Sequence, residues 1–354
     1  MRFHLRLTHM AVASAAVLAF TTAVRAWDED GHAIVTHLAI DALPADMPDW
    51  LKTPEARARM VYLSSEPDRW RGQNHNVLDH INGPDHYIDE EMLHPYGLSL
   101  KTLPRFRTQY TDIMATQRAL HPEKFPDKSD PKKPDRDYTR LSPGLLPYRI
   151  AELQWQLAAG WTQLKTYEAH RDKVTDAMIA NARENIIYTM GIMSHFVGDG
   201  SQPLHITLHH HGWIGENPKG YTTDPKFHAY IDGGVIDHHQ INYDALKDRA
   251  RPRRKMTPDT YWPDICGYLY ETFELVEPLY ALEKSGELKQ DKGKAFIEDR
   301  LLEGGAALAG AWTAGFQAAR IDDFRVKRLM SSDGREPGRA PKPVKEEKKA
   351  ASAR

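Results

Sequence analysis

The chain has 354 residues, of which 27% are charged, with 47 Lys and Arg against 49 Asp and Glu. This balance does not predict a broadly basic nucleic-acid-binding surface. The single cysteine, Cys266, excludes an intramolecular disulfide, and we interpret it as a buried, small apolar residue. A hydrophobic fraction of 41% is compatible with a sizeable core.

Residues 1–26 are typical of a secretory signal peptide. Two arginines precede an apolar stretch at 11–20, which is too short to span a bilayer, and a small residue, Ala26, ends the segment. The alternative is an ordinary buried N-terminal helix. Cleavage after Ala26 would make Trp27 the first residue of an exported protein, either periplasmic or secreted.

Helical periodicity dominates the remaining chain, and alternating strand patterns are scarce. We predict an all-α fold, a single multi-helix, bundle-like domain over 27–330. Residues 121–144 are rich in Pro, Lys and Asp and predict a loop, while the Pro- and Lys-rich segment 331–354 predicts a disordered tail. The predicted helices cover residues 31–43, 55–63, 106–120, 145–169, 173–197, 226–248, 258–282 and 291–321.

The segment running from His195 through Asp199 to His205 indicates a metal site. His195 and Asp199 are one helical turn apart, so they lie on one face of a helix. Pro203 should end or bend that helix and return His205 to the same pocket. Two imidazoles and a carboxylate that converge form a zinc-type ligand set.

Further candidate ligands occur elsewhere in the chain. A free α-amino group on Trp27 could bind a metal once deprotonated, and His32 follows five residues later. Taken singly, a His and Asp pair one turn apart is more typical of a solvated surface, but the combination indicates several metals. The other clusters contain Asp68 with Arg71, His86 with Asp89, and His228 with Asp232.

From Trp27 to about Asp232, these residues resemble the superfamily that contains secreted trinuclear-zinc single-strand nucleases and bacterial zinc-dependent phospholipases C. The resemblance implies that three Zn²⁺ ions are bound. The first would be held by Asp68, His86, His195 and Asp199. The second would be held by the amino and carbonyl groups of Trp27, with His32 and the shared Asp199. The third would be held by His205, His228 and Asp232.

Several details of the resemblance favour the nuclease branch. The short offset from Trp27 to His32 and the final carboxylate, Asp232, are nuclease features, since the phospholipases place that histidine later and have Glu at the end. Arg71 matches an arginine that contacts the scissile phosphate. Tyr87 would then stack on a base, and Asp89 would accept a hydrogen bond from it.

The resemblance implies hydrolysis of phosphodiester bonds in single-stranded DNA or RNA, and of 3′-nucleotides, by zinc-activated water, giving 5′-phosphates. Asp68 would orient or deprotonate the water, Asp199 would bridge two metals, and Arg71 would neutralise a non-bridging oxygen. Stacking on Tyr87 requires an unpaired base. The substrate would be single-stranded nucleic acid or a nucleotide, and no stable protein partner is implied.

Two alternatives remain open at this point. Lys226 and Ile231 depart from the nuclease pattern, and the insertion between His86 and His195 could reshape the substrate groove. A phospholipase C acting on phosphatidylcholine-like lipids is therefore one alternative. A non-catalytic, zinc-binding exported protein is the other.

Several other residues receive structural interpretations. The run 209–211 consists of three histidines, which we interpret as exposed and able to bind adventitious metal. His37 is interpreted as packed or hydrogen-bonded, and the pair at 238–239 as surface residues or capping contacts. The tryptophans at 155, 161 and 262 fit core positions.

Overall fold

The computed structural model describes residues 27–71, 76–125 and 142–331. The predicted signal peptide, 1–26, lies outside the described residues, as does the predicted tail from residue 332 onwards. Within the described ranges, no helix combines the length and apolarity that crossing a bilayer would require.

The fold is all-α, as predicted, and the described residues contain no β-strand. An isolated antiparallel bridge pairs Ile88 with Gly144. The α-helices are α1 (Glu29–Asp41), α2 (Pro54–Leu63), α3 (Glu66–Arg71), α4 (Asn76–Asn82), α5 (Glu90–Leu93), α6 (Arg107–Leu120), α7 (Leu146–Ala169), α8 (Asp176–Asp199), α9 (Phe227–Ala229), α10 (Val235–His239), α11 (Tyr243–Leu246), α12 (Tyr261–Phe273), α13 (Val276–Ser285), α14 (Asp291–Ala318) and α15 (Asp323–Ser331). A π-helical turn covers Tyr230–Gly234, and short 3₁₀ turns include Asp49–Lys52, Gly83–His86, His94–Tyr96, Pro122–Lys124, Arg171–Lys173, Pro203–His205, Lys247–Arg249 and Glu287–Lys289.

Helix α14 forms the centre of the bundle and packs against α1, α7 and α8. Nearly all of its residues from 301 to 315 are buried, because a helix that is apolar around its whole circumference is covered on every side. The Trp312 indole, in this buried stretch, donates a hydrogen bond to the Met190 carbonyl oxygen at 3.2 Å. This bond joins the centre of the bundle to α8, the helix that carries the predicted metal ligands His195 and Asp199.

Side-chain caps define where three of the predicted helices begin. The Asp28 carboxylate accepts a hydrogen bond from the Gly31 amide at the start of α1. Thr53 and Thr175 cap α2 and α8 in the same way. These caps satisfy amide groups that the first turn of a helix leaves unpaired, so the starts of the helices are fixed close to their predicted positions.

The predicted single helix over 226–248 is wrong. The chain forms α9, the π turn and α10, and then turns at Gln240, which has a left-handed φ of 50°. Within the π turn, the Asp232 carbonyl oxygen accepts a hydrogen bond from the Asp28 amide at 3.0 Å. A Cβ atom on Gly233 would lie 2.2 Å from the Asp28 carboxylate, so the close approach requires glycine there.

The predicted helix over 258–282 is also wrong, because it is two helices. Helix α12 ends at Phe273, and α13 begins at Val276 after a short turn. Pro278 lies in the first turn of α13, where the N–H group that proline lacks would have no partner within the helix. Pro278 is therefore a sequence signal that a second helix begins here. The helical periodicity of the segment led instead to the prediction of one continuous helix.

Candidate metal centre

Three groups of His and Asp side chains could hold metal ions. In each group the potential ligand atoms lie within 4.8 Å of one another, and every member is buried except Asp68, which is partly buried. The groups are His32, His195 and Asp199; Asp68, His86 and His195; and His205, His228 and Asp232.

The C-terminal turn of α8 joins the first two groups. Asp199 Oδ1 lies 3.4 Å from His32 Nε2, while Asp199 Oδ2 lies 3.1 Å from His86 Nδ1 and 3.5 Å from His195 Nε2. The two oxygens of one carboxylate therefore face imidazoles of different groups. This is the geometry that a carboxylate shared between two cations requires.

Hydrogen bonds to the backbone assign the tautomers of two histidines. His195 Nδ1 lies 2.7 Å from the Ser64 carbonyl oxygen and donates to it, which leaves Nε2 as an unprotonated acceptor in the neutral ring. That nitrogen lies 3.0 Å from His86 Nδ1 and 3.9 Å from Asp68 Oδ1. A lone pair that faces a carboxylate oxygen is unfavourable unless a proton or a cation lies between them.

The third group repeats this arrangement after the bend at Pro203. His205 Nδ1 donates to the His86 carbonyl oxygen at 2.7 Å, so its Nε2 is the free acceptor. That atom lies 3.2 Å from His228 Nε2, which lies 3.5 Å from Asp232 Oδ2. As predicted, the chain ends α8 and returns His205 inwards, but its partners are His228 and Asp232 rather than the α8 ligands.

Gln202 holds the third group in position, and sequence reasoning missed it. Its side-chain nitrogen, Nε2, donates to Asp232 Oδ1 at 2.7 Å, and its side-chain oxygen, Oε1, accepts from the Leu204 backbone amide at 2.6 Å. The position directly before Pro203, at the start of a 3₁₀ turn, is a capping position where a side-chain acceptor is expected. That capping signal could have identified Gln202.

Burial shifts the protonation equilibria of the ligands strongly. It lowers the pKa of His195 and of His205 to about 3 each, so both rings are neutral at pH 7. Burial also raises the pKa of Asp199 and of Asp232 well above the ordinary carboxyl range. Neutral imidazoles are ready to bind a metal, and a cation beside the two carboxylates would favour their ionised form against the effect of burial.

Unpartnered atoms supply a direct test of whether cations fit. His32 Nε2, Asp199 Oδ1 and Asp232 Oδ2 are buried and have no hydrogen-bond partner among the residues that the structure describes. Buried polar atoms without partners are rare because each carries an uncompensated desolvation cost. Since these orphaned atoms belong to the same His and Asp groups, the donor set fits bound divalent cations.

Trp27 lies beside this centre. It is buried, its indole donates to Ser201 Oγ at 2.9 Å, and its Cβ would lie 2.9 Å from a Cβ on Gly31, one residue before His32. Coordination by the amino group of Trp27 depends on the predicted cleavage after Ala26. It therefore stays a prediction.

Arg71 lies close to Asp68 at the end of α3. Its Nη1 donates to Asp68 Oδ1 at 3.3 Å, and its side chain is partly exposed whereas Asp68 is nearly buried. The arginine therefore adds positive charge at the solvent side of the second group.

Tyr87 is half-buried beside the segment that follows the undescribed residues 126–141. Its hydroxyl donates to the Ser142 carbonyl oxygen at 3.4 Å. Gly144 has a φ of 102°, and a Cβ there would lie 2.1 Å from the Tyr87 carbonyl oxygen. Only glycine permits this close approach, which sets the position of Tyr87.

Asp89, the predicted base contact, is only 3% exposed. Within the described ranges its Oδ1 has no hydrogen-bond partner, and burial raises the pKa of its carboxyl group well above the ordinary range. His210 Nδ1 lies 4.0 Å from that oxygen. His210 is therefore the titratable side chain that lies near this buried carboxyl group, and the predicted contact of Asp89 with a base stays a prediction.

The interpretation of the histidine run 209–211 as exposed is only partly correct. His211 is exposed, but His209 and His210 are half-buried. The rings of His210 and His211 lie 5.8 and 5.2 Å from the ring of His228, a member of the third group. The run thus borders the metal centre, which spacing along the sequence did not show.

The other structural interpretations have mixed outcomes. As predicted, His37 is hydrogen-bonded, because its Nδ1 accepts from Arg57 Nη1 at 3.1 Å. The histidines at 238–239 contact backbone carbonyl oxygens, which also agrees with the prediction. Cys266 is buried, and burial raises the pKa of its thiol to about 12. Trp155 is the error, because it is largely exposed on α7 rather than in the core.

No protein-family model matches the chain, and no curated protein matches it significantly. The side chains of the site are therefore the basis for a functional assignment.

Proposed function

We propose that this protein is an exported, zinc-dependent phosphodiesterase that hydrolyses single-stranded DNA or RNA. The observation that carries the proposal is the set of three His and Asp groups. His32 and His86, which belong to two different groups, face different oxygens of Asp199. Mixed nitrogen and oxygen donors in groups of three or four are typical of zinc. The resemblance to the zinc nucleases and phospholipases C supports the same assignment.

The described residues would hold three ions. Zinc at these positions would supply a Lewis acid that activates water and polarises a phosphoryl oxygen at neutral pH. The proposed ligands are Asp68, His86, His195 and Asp199 for the first ion, Trp27, His32 and Asp199 for the second, and His205, His228 and Asp232 for the third.

The protein's own side chains would position the phosphodiester. Arg71 is partly exposed beside Asp68, so its guanidinium can pair with a non-bridging phosphate oxygen. Asp68 accepts a hydrogen bond from Arg71 and lies 3.9 Å from His195. Its carboxylate can therefore act as a proton acceptor beside the reacting atoms. Hydrolysis would give 5′-phosphates, by analogy with the nucleases.

The preference for single strands follows from Tyr87. Tyr87 is half-buried and directly follows the proposed ligand His86 in the chain, and an aromatic ring of this kind can stack only on a base that is unpaired. Export to the periplasm or the medium, after cleavage before Trp27, belongs to the same proposal. It would expose the amino group that the second ion needs.

The test offers single-stranded DNA and phosphatidylcholine to the zinc-loaded chain that begins at Trp27. We expect cleavage of DNA. We expect Arg71→Ala to lower kcat/KM by about 10²-fold with zinc content unchanged, since donors to a charged transition state contribute on that scale. Arg69→Ala is the matched control, because the Arg69 guanidinium pairs with Glu29 and Glu66 instead.

Two results would contradict the proposal. Cleavage of phosphatidylcholine alone would assign the centre to a phospholipase C. A zinc-loaded chain that cleaves neither substrate would favour the non-catalytic alternative.

A further inference from the structure

A pocket separate from the metal groups lies on the surface formed by the loop before α6, the middle of α7 and the start of α12. Its volume is about 120 Å³. None of its lining residues is a proposed metal ligand. We call it the aromatic pocket, and it is lined by Arg105, Phe106, Ala151, Trp155, Tyr261 and Trp262.

Hydrogen bonds hold the walls of the aromatic pocket in place. The Trp262 indole donates to the Leu103 carbonyl oxygen at 3.3 Å, and the Tyr148 hydroxyl donates to the Pro104 carbonyl oxygen at 2.8 Å. The rings of Tyr148 and Trp262 lie 5.0 Å apart. The segment that leads into Arg105 is therefore fixed before any ligand binds, which reduces the entropic cost of binding.

The aromatic pocket presents large apolar surfaces to solvent. Phe106 is 60% exposed and Trp155 is 44% exposed, so two aromatic side chains face water. Exposed aromatic faces of this kind can stack on a planar ring.

The charge around the aromatic pocket selects the kind of ligand. Arg105 is exposed and forms no ion pair among the described residues, whereas the neighbouring Arg107 is paired with Glu152. Helix α12 begins at Tyr261, so the positive end of its dipole adds to the charge of Arg105. A choline cation, which aromatic walls could otherwise bind, is disfavoured here, and an aromatic ring that carries an anion is favoured.

A continuous series of contacts joins the aromatic pocket to Tyr87. The ring of Tyr148 stacks on that of Tyr110 at 5.1 Å, and the Tyr110 hydroxyl donates to the Gly144 carbonyl oxygen at 3.2 Å. Gly144 in turn lies against Tyr87. Because Tyr110 and Tyr148 are buried, these contacts run through the interior and fix the pocket wall relative to Tyr87.

We propose that the aromatic pocket binds one nucleotide of a single-stranded substrate at a distance from the cleaved bond. The base stacks on Trp155 and Phe106, and its phosphate pairs with Arg105. This inference rests on the proposed nuclease function for the identity of the strand. Its binding chemistry is independent of the metal groups.

The test compares a long with a short substrate. Binding of a labelled, cleavage-resistant phosphorothioate oligothymidylate, eight nucleotides long, is measured by fluorescence anisotropy on the zinc-loaded chain. Trp155→Ala and Arg105→Ala should each weaken binding about tenfold, since stacking on one base contributes at this level. Hydrolysis of a dinucleotide should be unchanged, because the inference assigns the aromatic pocket only to a nucleotide distant from the cleaved bond.

Tyr188→Ala is the matched control, since Tyr188 is a comparably exposed aromatic residue, 46% exposed, on another helix. Unchanged binding in both pocket variants would overturn the inference. So would a loss of binding to phosphatidylcholine vesicles in these variants without a loss of oligonucleotide binding. If the chain cleaves no DNA but binds the oligonucleotide through Trp155 and Arg105, the proposed function fails and the aromatic pocket stands.

Discussion

Gln202 shows how single residues outside the ligand set determine the geometry of the metal centre. Its amide donates to one oxygen of Asp232, and the other oxygen, which has no hydrogen-bond partner in the described part of the chain, faces His228. A hydrogen bond of this kind fixes the orientation of a ligand before a metal binds. The third group therefore depends on Gln202 as well as on its own three members.

We predict that Gln202→Leu weakens zinc binding at the third group by about 10- to 100-fold, because Asp232 loses its orienting donor. Competition titration against a chromogenic chelator measures the change. The matched control is Gln154→Leu, since Gln154 is also buried but neither its side-chain nitrogen nor its side-chain oxygen has a hydrogen-bond partner among the described residues. Equal zinc affinity in the two variants would show that Gln202 does not orient Asp232.

The members of the three groups were predictable from sequence, but their supporting contacts were not. His195 and Asp199 follow helical spacing, and so do His228 and Asp232. The Ser64 carbonyl oxygen, which orients His195, leaves no trace in residue type, because any residue supplies a carbonyl group. The position of His210 over Asp89 depends on how distant segments pack, so spacing along the chain could not show it.

At the scale of elements, the close approach of α1 and α8 places His32 beside Asp199. A Cβ atom on Gly198 would lie 2.8 Å from His32 Nδ1 and 3.2 Å from His32 Cε1. Glycine in α8 therefore provides the space that the His32 ring occupies. The group of His32, His195 and Asp199 can therefore form only when α1 and α8 lie in contact.

We predict that Gly198→Ala displaces the His32 ring, removes one zinc ion and lowers stability by about 1–3 kcal/mol, as overpacking does. Metal analysis and thermal melting measure the two effects. Gly267→Ala, in α12, is the control, because a Cβ there meets nothing within 4 Å. The control should keep its zinc and gain up to about 1 kcal/mol from the higher helix propensity of alanine. Full zinc occupancy in Gly198→Ala would contradict this account of the α1–α8 contact.

The helices were predicted best where the apolar periodicity is long and uninterrupted. The 145–169 prediction matches α7, and the 291–321 prediction matches α14 within a few residues. The predictions failed around the third group, where the π turn and Gln240 interrupt the helical pattern. Asp28 holds that region through its contact with Asp232, and a contact between residues so far apart in the chain has no local signal.

At the scale of the whole molecule, the metal groups should couple stability to pH. The raised pKa of Asp199 and of Asp232 means that the metal-free native state binds more protons than the unfolded state, so this contribution to stability falls as pH rises. The lowered pKa of His195 and of His205, about 3 each, acts oppositely. Their contribution is lost as pH falls from the unfolded value of about 6.5 towards 3.

We predict that removing zinc with EDTA lowers Tm, and lowers it more at pH 8 than at pH 5. At the lower pH, zinc must displace protons from Asp199 and Asp232, so it stabilises the native state less. Zinc present at about a thousand times its Kd would contribute about 4 kcal/mol. Thermal melts with and without EDTA across this range measure the effect, and restored zinc should restore Tm. A Tm difference that does not vary with pH would contradict the assigned protonation states.

The most direct test of the account is the metal content of the chain that begins at Trp27, measured by mass spectrometry after dialysis. The three groups predict three zinc ions per chain, and two in His228→Ala, because that substitution removes a ligand from the third group only. A native chain that retains no stoichiometric transition metal would contradict the metal centre and the hydrolytic function proposed from it.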